Sequence, residues 1–379
     1  MKVLFLAHYP ELYGSIRSLL DLTDGLQAYG IRPFFVVPAE GSFSAALQEK
    51  QLPYAIVPVP YWLSQKPLSL QGKMELLREI HQAAQSVLSL IEGEHLDLVY
   101  TNTSASPVGA LAARRASIPH IWHIREFGDL DFNLKFVFST SLSLWIISRS
   151  EAVIFHAKAV QKHYFKKAYN NIHQVYNGIA SGPEFDLRIA FRQTTTLPQV
   201  YTFLMPSIIS PNKGQETAIR AINELKCQGI DCLLILAGGG KSEYVKQLKE
   251  LVEALQLTES IQFAGLVNDP IPLYYQASCA LVCSNYEALS RVALEAMSCG
   301  LPVIGRNTGG TPEIILDGQT GYLYDNFDAL VESMVALAQN PALSQQMGLA
   351  GWVRARELFN TEDCAAKVFE IIQSVTNKA

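Results

Sequence analysis

The chain has 379 residues, which is too long for one ordinary domain and favours two. Hydrophobic residues make up 49% of the sequence and charged residues 17%, a composition that argues against disorder and can build large cores. The formal net charge of -5 gives no reason to expect a nucleic acid as a partner.

Short apolar runs alternate with amphipathic stretches in the first half of the chain. The runs predicted to be strands are 2–7, 32–38, 54–59, 97–102, 120–124 and 152–157. The first of them lies in MKVLFLAHYPE, whose apolar run is too short for the core of a signal peptide. Stretches such as SIRSLLDLTDGLQAYG have the apolar spacing of helices. This alternation predicts a parallel sheet with helices on both faces.

The longest apolar stretch is FVFSTSLSLWIIS, at 136–148. Serine and threonine interrupt it, and it falls short of the roughly 20 residues that cross a bilayer. A buried helix is the preferred interpretation, and a helix lying on a lipid surface is the alternative.

The composition changes after VYNGI, at 175–179. Residues 186–199 lack a strong period and are predicted to link an N-terminal Rossmann-like domain (1–185) to a C-terminal Rossmann-like domain (200–358). The strands predicted in the second half are 201–207, 231–239, 260–265, 279–284 and 302–306. The last segment, 359–379, is predicted to be a helix that crosses back to the first domain. Ligands bind at the carboxyl ends of strands in such sheets, so the cleft between the two domains is the expected site.

The cysteines give no sign of a metal site or of a disulfide framework. All six lie in the second half, and none forms a C-x-x-C pair. Reduced, mostly buried thiols are therefore expected.

Two glutamates stand eight residues apart in EALSRVALEAMSCG. A strand is predicted to end near Cys283 and a helix to run from about 290 to 298, which places Glu287 on a loop and Glu295 in the helix. The residues around the helix start are Leu289, Ser290, Arg291 and Val292. Free N–H groups there favour an anion such as a diphosphate. Two acids beside it can accept hydrogen bonds from hydroxyl groups, so the combination predicts a site for a nucleotide sugar. The alternative is one solvated acid and one helix-start acid.

With its surroundings, this segment resembles the donor-site signature of retaining glycosyltransferases of family 4. The motifs that carry the resemblance are EAMSCGLPVI, GGTPEII, DGQTGYLY, LLILAGGG, SIQFAGLVND, SPNKGQETAIRA and, less closely, VYNGI. They cover essentially the whole second half, whereas the first half matches more loosely. The resemblance implies an α/β GT-B fold, in which two Rossmann-like domains with parallel sheets face each other across a cleft. It also implies that domain 1–185 binds the acceptor and that domain 200–358 binds the nucleotide-sugar donor.

The resemblance also implies roles for three catalytic residues, Glu287, His123 and Lys213. Glu287 is expected near the transferred sugar, and Lys213 in SPNKGQE is expected to neutralise the donor diphosphate. His123 in IWHIREFGD matches a histidine that approaches the sugar, the alternatives being a core or a surface histidine. The same stretch offers Arg125 and Glu126 as weaker candidates for contacts to the acceptor, followed by Asn102 and Thr103 at the end of another strand.

The donor-binding residues implied by the resemblance form a longer set. They are Glu295, Gly14, Ser15, Leu289, Ser290, Arg291, Val292, Gly239, Gly265 and Asn307. Glu295 matches the acid that binds the ribose, and Gly14 with Ser15 matches a glycine-rich loop, unless it is a simple strand–helix turn. Ile208 departs from the family, which often has an arginine there, and Arg291 is a candidate to supply that charge.

The leading hypothesis is a retaining, metal-independent glycosyltransferase of the hexosyltransferase type. It would move a sugar from a nucleotide-diphosphate sugar, UDP-sugar favoured over GDP-sugar, to a glycan, lipid-linked or small-molecule acceptor in polysaccharide or cell-envelope glycan synthesis. No cofactor, no metal and no nucleic acid are expected, and a front-face route is implied. The expected location is cytoplasmic, with a peripheral contact to the cell membrane left open. The alternatives are a nucleotide-sugar epimerase and a non-catalytic binding protein that retains the pocket.

Overall fold

The computed structural model describes residues 1–167, 169–196 and 199–377. The chain forms two compact units, the first made of Met1–Gly178 with Thr361–Ala379 and the second of Ile179–Asn360. Each unit contains its own parallel sheet with helices, which confirms the predicted α/β class with two Rossmann-like domains.

The first unit is built around a seven-stranded sheet. The strands of the first unit are β1 (Lys2–Leu6), β2 (Arg32–Val37), β3 (Tyr54–Ile56), β4 (Leu63–Ser64), β5 (Leu98–Thr101), β6 (His120–Ile124), β7 (Lys135–Phe136), β8 (Ala152–Phe155) and β9 (Ile172–Gln174). Its helices before residue 178 are α1 (Gly14–Gln27), α2 (Ser42–Glu49), α3 (Leu70–Glu94), α4 (Val108–Ala116), α5 (Asp129–Phe132), α6 (Thr140–Ser148) and α7 (Lys158–Tyr164). The large sheet has the order β3-β2-β1-β5-β6-β8-β9 and is parallel, whereas β4 and β7 form a separate antiparallel pair.

Strand β1 shows why this sheet is covered on both faces. Val3 and Phe5 join the core that includes α1, whereas Leu4 and Leu6 join the core that includes α3 and α4. Such strands read as unbroken apolar runs because both faces are buried. Since the sheet is parallel, the carboxyl ends of β1, β5, β6 and β8 meet at one edge.

The chain ends in α16 (Thr361–Thr376), which belongs to the first unit. Its buried residues Ala365, Val368 and Ile372 are part of the core that contains α1. The two helices approach closely at Gly25, where an added Cβ would stand 2.7 Å from the Cβ of Ala365. Helix α16 therefore packs directly on α1.

The second unit contains a six-stranded parallel sheet. Its strands are β10 (Tyr201–Pro206), β11 (Cys232–Ala237), β12 (Ile261–Gly265), β13 (Cys279–Val282), β14 (Val303–Arg306) and β15 (Gly321–Tyr324). Its helices are α8 (Gly182–Thr194), α9 (Gln215–Cys227), α10 (Ser242–Ala254), α11 (Ile271–Tyr275), α12 (Arg291–Ser298), α13 (Thr311–Ile314), α14 (Phe327–Gln339) and α15 (Pro341–Leu358). The strand order is β12-β11-β10-β13-β14-β15, so the carboxyl ends of β10, β13 and β14 are neighbours.

A helix occupies most of the segment predicted to be a linker, 186–199. Helix α8 begins after Ser181, whose hydroxyl accepts a hydrogen bond from the amide of Glu184, while the Glu184 carboxylate accepts one from the amide of Ser181. Phe185 is buried, and its carbonyl accepts a hydrogen bond from the indole of Trp352. The linker prediction was wrong because the capping box in SGPE was overlooked. Residues 197 and 198 lie outside the described residues.

The preferred interpretation of 136–148, a buried helix, was right about a helix over Thr140–Ser148 and wrong about its burial. Residues 135–136 form β7, and in α6 only Ser143 and Ile147 are buried. Leu142 and Trp145 are 49% and 56% exposed. The stretch is apolar all round, so its pattern does not indicate which face is buried. Within the described part of the chain, each helix is too short or too polar to cross a membrane.

Candidate functional site

Lys213 ends a short 3-10 turn that follows β10. The next residue, Gly214, has a left-handed φ of +77°, and a Cβ there would stand 2.3 Å from the carbonyl oxygen of Cys283. The amide of Asn285 donates to the carbonyl of Asn212 at 3.0 Å. The turn is therefore packed against the loop that follows β13, which glycine allows because it has no Cβ.

This packing brings Lys213 to Glu287. The ammonium group donates to Oε1 of Glu287 at 2.5 Å, and the hydroxyl of Ser284 donates to the same oxygen at 2.6 Å. Within the described residues, Oε2 of Glu287 makes no hydrogen bond. The two side chains are 31% and 18% exposed, so the pair is partly shielded from water. The site thus offers a cation beside a carboxylate oxygen that can accept from a hydroxyl group.

The loop after β14 supports the backbone of Glu287. The amide of Gly310 donates to the Glu287 carbonyl at 2.8 Å. Gly309 has a φ of +58°, and a Cβ there would stand 2.2 Å from the same carbonyl oxygen. Asn307 begins this loop, and its amide donates to the carbonyl of Tyr324 at 2.9 Å. The NTGG loop therefore positions Glu287 through the main chain.

Glu295 lies one turn into α12, and both of its carboxylate oxygens have partners. Oε1 accepts from Nε of Arg291 at 2.8 Å, and Oε2 accepts from the hydroxyl of Tyr274 at 3.0 Å. Tyr274 is fully buried. Burial, and then the charge of Glu295, raise the pKa of Tyr274 well above its usual range, so its hydroxyl remains a donor. Each carboxylate oxygen keeps a lone pair for another donor.

Tyr274 is a site residue that the sequence analysis missed. It lies in IPLYY, within the short helix α11, 21 residues before Glu295. The aromatic pair in that helix was the available signal, although the pattern does not show which hydroxyl group meets the carboxylate.

The start of α12 presents unpaired main-chain donors. The hydroxyl of Ser290 accepts a hydrogen bond from the amide of Ala293 at 3.3 Å and so caps the helix. The amides of Leu289, Ser290 and Val292 donate to no other described residue. Unpaired N–H groups at the positive end of a helix dipole favour an anion.

Ile208, Gly239 and Gly265, which the sequence analysis singled out, lie at the carboxyl ends of β10, β11 and β12. The amide of Gly238 donates to the carbonyl of Gly265 at 2.7 Å, and the amide of Ile209 donates to the carbonyl of Gly239 at 2.8 Å. These contacts draw the three strand ends together, on the edge of the sheet where Lys213 lies. Ile208, in place of the family's arginine, is 47% exposed at this edge.

In the first unit, polar side chains collect at the carboxyl ends of β5 and β6. His123 is fully buried, with Nδ1 at 2.6 Å from the hydroxyl of Tyr100 and 3.2 Å from Nη2 of Arg125. A guanidinium N–H can only donate, so Nδ1 accepts and the ring proton is assigned to Nε2. Nε2 is buried and has no hydrogen-bond partner among the described residues. His123 therefore presents one unpaired N–H donor.

The charge state of His123 agrees with that tautomer. Burial, and then the positive charge of Arg125 and the proximity of His156, lower the pKa of His123 well below its usual range. The imidazole is neutral at physiological pH, so it can donate a hydrogen bond and does not carry a positive charge.

Arg125, which contacts His123, and the next residue, Glu126, each hold polar side chains at the end of β5. Arg125 is buried and donates to the side-chain oxygens of Asn102 and Asn177. Glu126 is buried too, and its Oε1 accepts from the hydroxyl of Thr103 at 2.8 Å and from the amide and hydroxyl of Ser104 at 2.5 and 2.7 Å. The weaker acceptor candidates of the sequence analysis thus lie in two hydrogen-bonded groups, Asn102 with Arg125 and Thr103 with Glu126.

Gly14 and Ser15 begin α1, directly after the loop that follows β1. The side-chain amide of Asn102 donates to the carbonyl of Ser15 at 3.2 Å. The start of α1 is therefore connected to the polar cluster that contains Arg125.

Among the described residues, no cluster of three or more His, Cys, Asp or Glu side chains could hold a metal ion. The six cysteines are free thiols, and five of them are buried. Burial raises the pKa of Cys283 and of Cys299 to about 11, so both are uncharged packing residues at neutral pH.

Two family models match the chain, one to each half. The model described as Glycosyltransferase Family 4 matches residues 14–181, and the model described as Glycosyl transferases group 1 matches residues 188–351. Together they include every candidate residue described above.

Curated relatives and solved structures agree with these matches. A GDP-mannose-dependent alpha-(1-6)-phosphatidylinositol monomannoside mannosyltransferase of Mycolicibacterium smegmatis is 30% identical over 201 residues, which are 50% of this chain and 52% of the relative. The match thus spans about half the length of that relative. An alpha-1,3/1,6-mannosyltransferase of Mus musculus is 26% identical over 313 residues, 74% of each chain.

The solved structure of Anabaena HepE in complex with UDP superposes with a TM-score of 0.79 at 22% identity, covering 99% of this chain and 100% of that one. At this identity the superposition shows the fold. The matched family models and the shared architecture of the two units together lead to one conclusion: the chain belongs to glycosyltransferase family 4 and has the GT-B fold.

Proposed function

We propose that this protein transfers a sugar from a nucleoside-diphosphate sugar to a hydroxyl group of an acceptor, with retention of configuration and without a metal ion. The observation that carries the proposal is the pairing of Lys213 with Glu287 at 2.5 Å, at the edge of the sheet where α12 begins. Membership of family 4 supports retention.

Lys213 and the start of α12 would stabilise the leaving diphosphate. A phosphate would give the ammonium group a second anionic partner, and the amides of Leu289, Ser290 and Val292 would donate to phosphate oxygens. These groups stabilise the charge that develops as the glycosidic bond breaks.

Glu287 and Glu295 would bind two different parts of the donor. Oε2 of Glu287, which makes no hydrogen bond to a described residue, would accept from a hydroxyl group of the sugar. Glu295, which Arg291 and Tyr274 orient, would accept from the ribose hydroxyl groups. Both roles need an ionised carboxylate, because only that form accepts at both oxygens.

We propose that His123 acts as a hydrogen-bond donor to a sugar oxygen and not as a general base. Its Nδ1 accepts from Arg125, and its Nε2 proton has no partner among the described residues. A neutral imidazole in this tautomer has no basic nitrogen directed at a ligand.

UDP-sugars are the first donors to test, followed by GDP-sugars. HepE was solved with UDP-glucose as well as with UDP, whereas the Mycolicibacterium relative is named as GDP-mannose-dependent. The acceptor is proposed to be a glycan, a lipid-linked glycan or a small molecule, and polysaccharide or cell-envelope synthesis is the proposed setting.

Calorimetric titration with UDP, GDP, ADP and the free nucleosides tests the donor site. Lys213→Met should weaken binding of the preferred diphosphate by about 10- to 100-fold, because a charge-assisted contact is lost, and should leave nucleoside affinity unchanged. Lys246→Ala removes an exposed lysine of α10 and should change neither. Equal diphosphate affinity in the wild type and Lys213→Met would contradict the assigned role of the lysine.

A further inference from the structure

We infer that Arg192 of α8 is a positioning residue for donor binding, because it holds the helix from which Tyr274 reaches Glu295. The inference rests on the proposed function, in which Glu295 binds the ribose of the donor. It adds a residue that acts through Tyr274 and not on the ligand, and this residue lies in the segment that the sequence analysis predicted to be a linker.

The guanidinium group of Arg192 lies at the carboxyl end of α11. Its Nη1 donates to the carbonyl of Tyr275 at 2.9 Å and to the carbonyl of Tyr274 at 3.4 Å. The carbonyl groups at the end of a helix lack intrahelical partners and form the negative end of the helix dipole. A cation that donates to them stabilises the helix end, so Arg192 caps α11.

Arg192 is committed to this contact. Within the described part of the chain, its guanidinium group makes hydrogen bonds to these two carbonyls alone, and the bonds are partly buried. Burial lowers the pKa of Arg192, but a guanidinium group remains charged at neutral pH. The neighbouring Phe191 adds a ring contact to Tyr275, with 4.5 Å between the ring centroids. Helix α8 therefore fixes the last turn of α11 through a charge-assisted contact and an aromatic one.

Helix α8 also packs against the end of α12, the helix that carries Glu295. An added Cβ at Gly300 would stand 2.6 Å from Cδ1 of Ile189. Nη1 of Arg188 donates to the hydroxyl of Ser298 at 2.7 Å. That hydroxyl in turn donates to the carbonyl of Glu295 at 2.7 Å. One helix thus contacts both of the helices that form the Glu295 site.

Tyr274 transmits the position of α11 to the carboxylate. Its side chain is fully buried, and its hydroxyl donates to Oε2 of Glu295 at 3.0 Å. Because α11 has five residues, Ile271–Tyr275, a shift of its last turn moves the Tyr274 ring as well. A displacement of about 0.5 Å would lengthen the bond to Glu295 to the limit of effective hydrogen-bond geometry. The capping contact of Arg192 therefore sets how well the carboxylate is oriented.

Calorimetric titration with uridine and UDP, and with guanosine and GDP as the second pair, tests the inference. Arg192→Met keeps the apolar stem and should weaken binding of nucleoside and diphosphate alike, by about three- to tenfold, up to the loss expected without the Tyr274 hydroxyl. Arg192→Lys keeps a charged donor and should have an intermediate affinity. Arg356→Met is the control, because it removes an exposed guanidinium group that pairs with Asp186 of α8 and should change neither affinity.

A double-mutant cycle with Tyr274→Phe separates positioning from a general loss of stability. If Arg192 acts through the Tyr274 hydroxyl, Arg192→Met should change nucleoside affinity by less than about twofold in the Tyr274→Phe background. Urea denaturation identifies the variants that are folded at the titration temperature, and Arg192→Lys takes the place of Arg192→Met in the cycle if the latter is unfolded.

Two results would overturn the inference: equal losses of affinity in both backgrounds, or wild-type affinity in Arg192→Met. A wild type that binds neither ligand pair would instead contradict the proposed donor site itself, so the failure of the proposed function can be distinguished from the failure of the positioning role.

Discussion

The hydroxyl group of Tyr274 donates to Oε2 of Glu295 at 3.0 Å, while Arg291 holds Oε1 of the same carboxylate at 2.8 Å. Tyr274 comes from α11 and Arg291 from α12, so two elements fix the orientation of this side chain. A carboxylate held at both oxygens loses little rotamer freedom when it binds hydroxyl groups, which favours binding.

Removing the tyrosine hydroxyl should weaken nucleoside binding. In Tyr274→Phe the Glu295 carboxylate loses a buried donor, so uridine and UDP should both bind about tenfold more weakly, the loss typical of a hydrogen bond to a charged group. Tyr275→Phe removes the hydroxyl of the adjacent residue, which does not contact Glu295, and serves as the control. Calorimetry with both ligands measures the effect, and unchanged affinities in Tyr274→Phe would disprove the orienting role.

Arg291 is expected to act through Glu295 and not on the diphosphate. Its Nε donates to that carboxylate, four residues along the helix. Arg291→Met should therefore weaken uridine and UDP binding by the same factor, about three- to tenfold. A loss of affinity for UDP but not for uridine would show instead that the guanidinium contacts the phosphates. Arg291 would then supply the charge that is missing at Ile208, the alternative raised by the sequence.

Ile208 is the position at which a new charge should strengthen donor binding. It is 47% exposed at the end of β10, the strand that leads to Lys213. Ile208→Arg places a cation where the family often has one, so UDP affinity should rise by about three- to tenfold, with uridine affinity unchanged. The increase should shrink at high salt, because salt screens exposed charges. An unchanged UDP affinity in Ile208→Arg would show that this edge of the sheet does not contact the phosphates.

Gly309 should be essential for the position of Glu287. In Gly309→Ala the new Cβ would meet the Glu287 carbonyl at 2.2 Å, whereas Gly318→Ala has a similar φ of +70° and no atom within 4 Å. Both variants lose about 1–2 kcal/mol of unfolding free energy through left-handed strain, and Gly309→Ala should lose more. Turnover should fall in Gly309→Ala alone, because only there the catalytic acid moves. Urea denaturation and donor turnover test the pair, and equal behaviour would refute the contact.

The buried histidines should make the first unit less stable in acid. Burial, and then Arg125, lower the pKa of His156 to about 3 from 6.5, so below pH 6.5 the unfolded chain binds a proton that the folded chain does not. The contribution of His156 to the free energy of unfolding is complete well above pH 6.5. Below that pH it decreases by up to about 1.4 kcal/mol per pH unit. His120 is buried and behaves alike, its pKa lowered to about 3.

His156→Gln keeps a donor for the Ile124 carbonyl and removes the titrating group. The slope of unfolding free energy against pH, measured by urea denaturation between about pH 5 and 6.5, should therefore decrease by about 1 kcal/mol per pH unit, because the unfolded histidine is only half protonated at pH 6.5. Burial raises the pKa of Asp131 to about 6, so this carboxyl group stabilises the folded state as the pH falls, opposite to the effect of the histidines. Asp131 is present in both the wild type and His156→Gln, so its effect cancels in the difference between their slopes. Identical slopes would contradict the burial of His156 in its neutral form.

The sequence was sufficient for the parts of the fold that follow from strong patterns. The apolar runs of the two parallel sheets were predicted because strands buried on both faces are apolar throughout, as Val3, Leu4 and Phe5 show. The placement of Glu287 on a loop and of Glu295 in a helix followed from Gly300 and Pro302, which mark the end of one element and the start of the next.

Other features depend on long-range contacts that no local pattern contains. The hydroxyl group that meets Glu295 comes from 21 residues earlier, and the proton position of His123 depends on Arg125 and Tyr100 together. The helix α6 was predicted, but its burial was predicted wrongly, because an apolar stretch without a period does not indicate its buried face.

Glycosyl transfer itself is tested most directly by proton NMR of the protein with UDP-glucose and a set of glycoside acceptors, with GDP-mannose as the second donor. The account predicts release of the nucleoside diphosphate together with a new glycosidic anomeric signal that has the configuration of the donor, and loss of both signals in Glu287→Gln. A product of inverted configuration, or a donor that binds and is never cleaved with any acceptor, would contradict it.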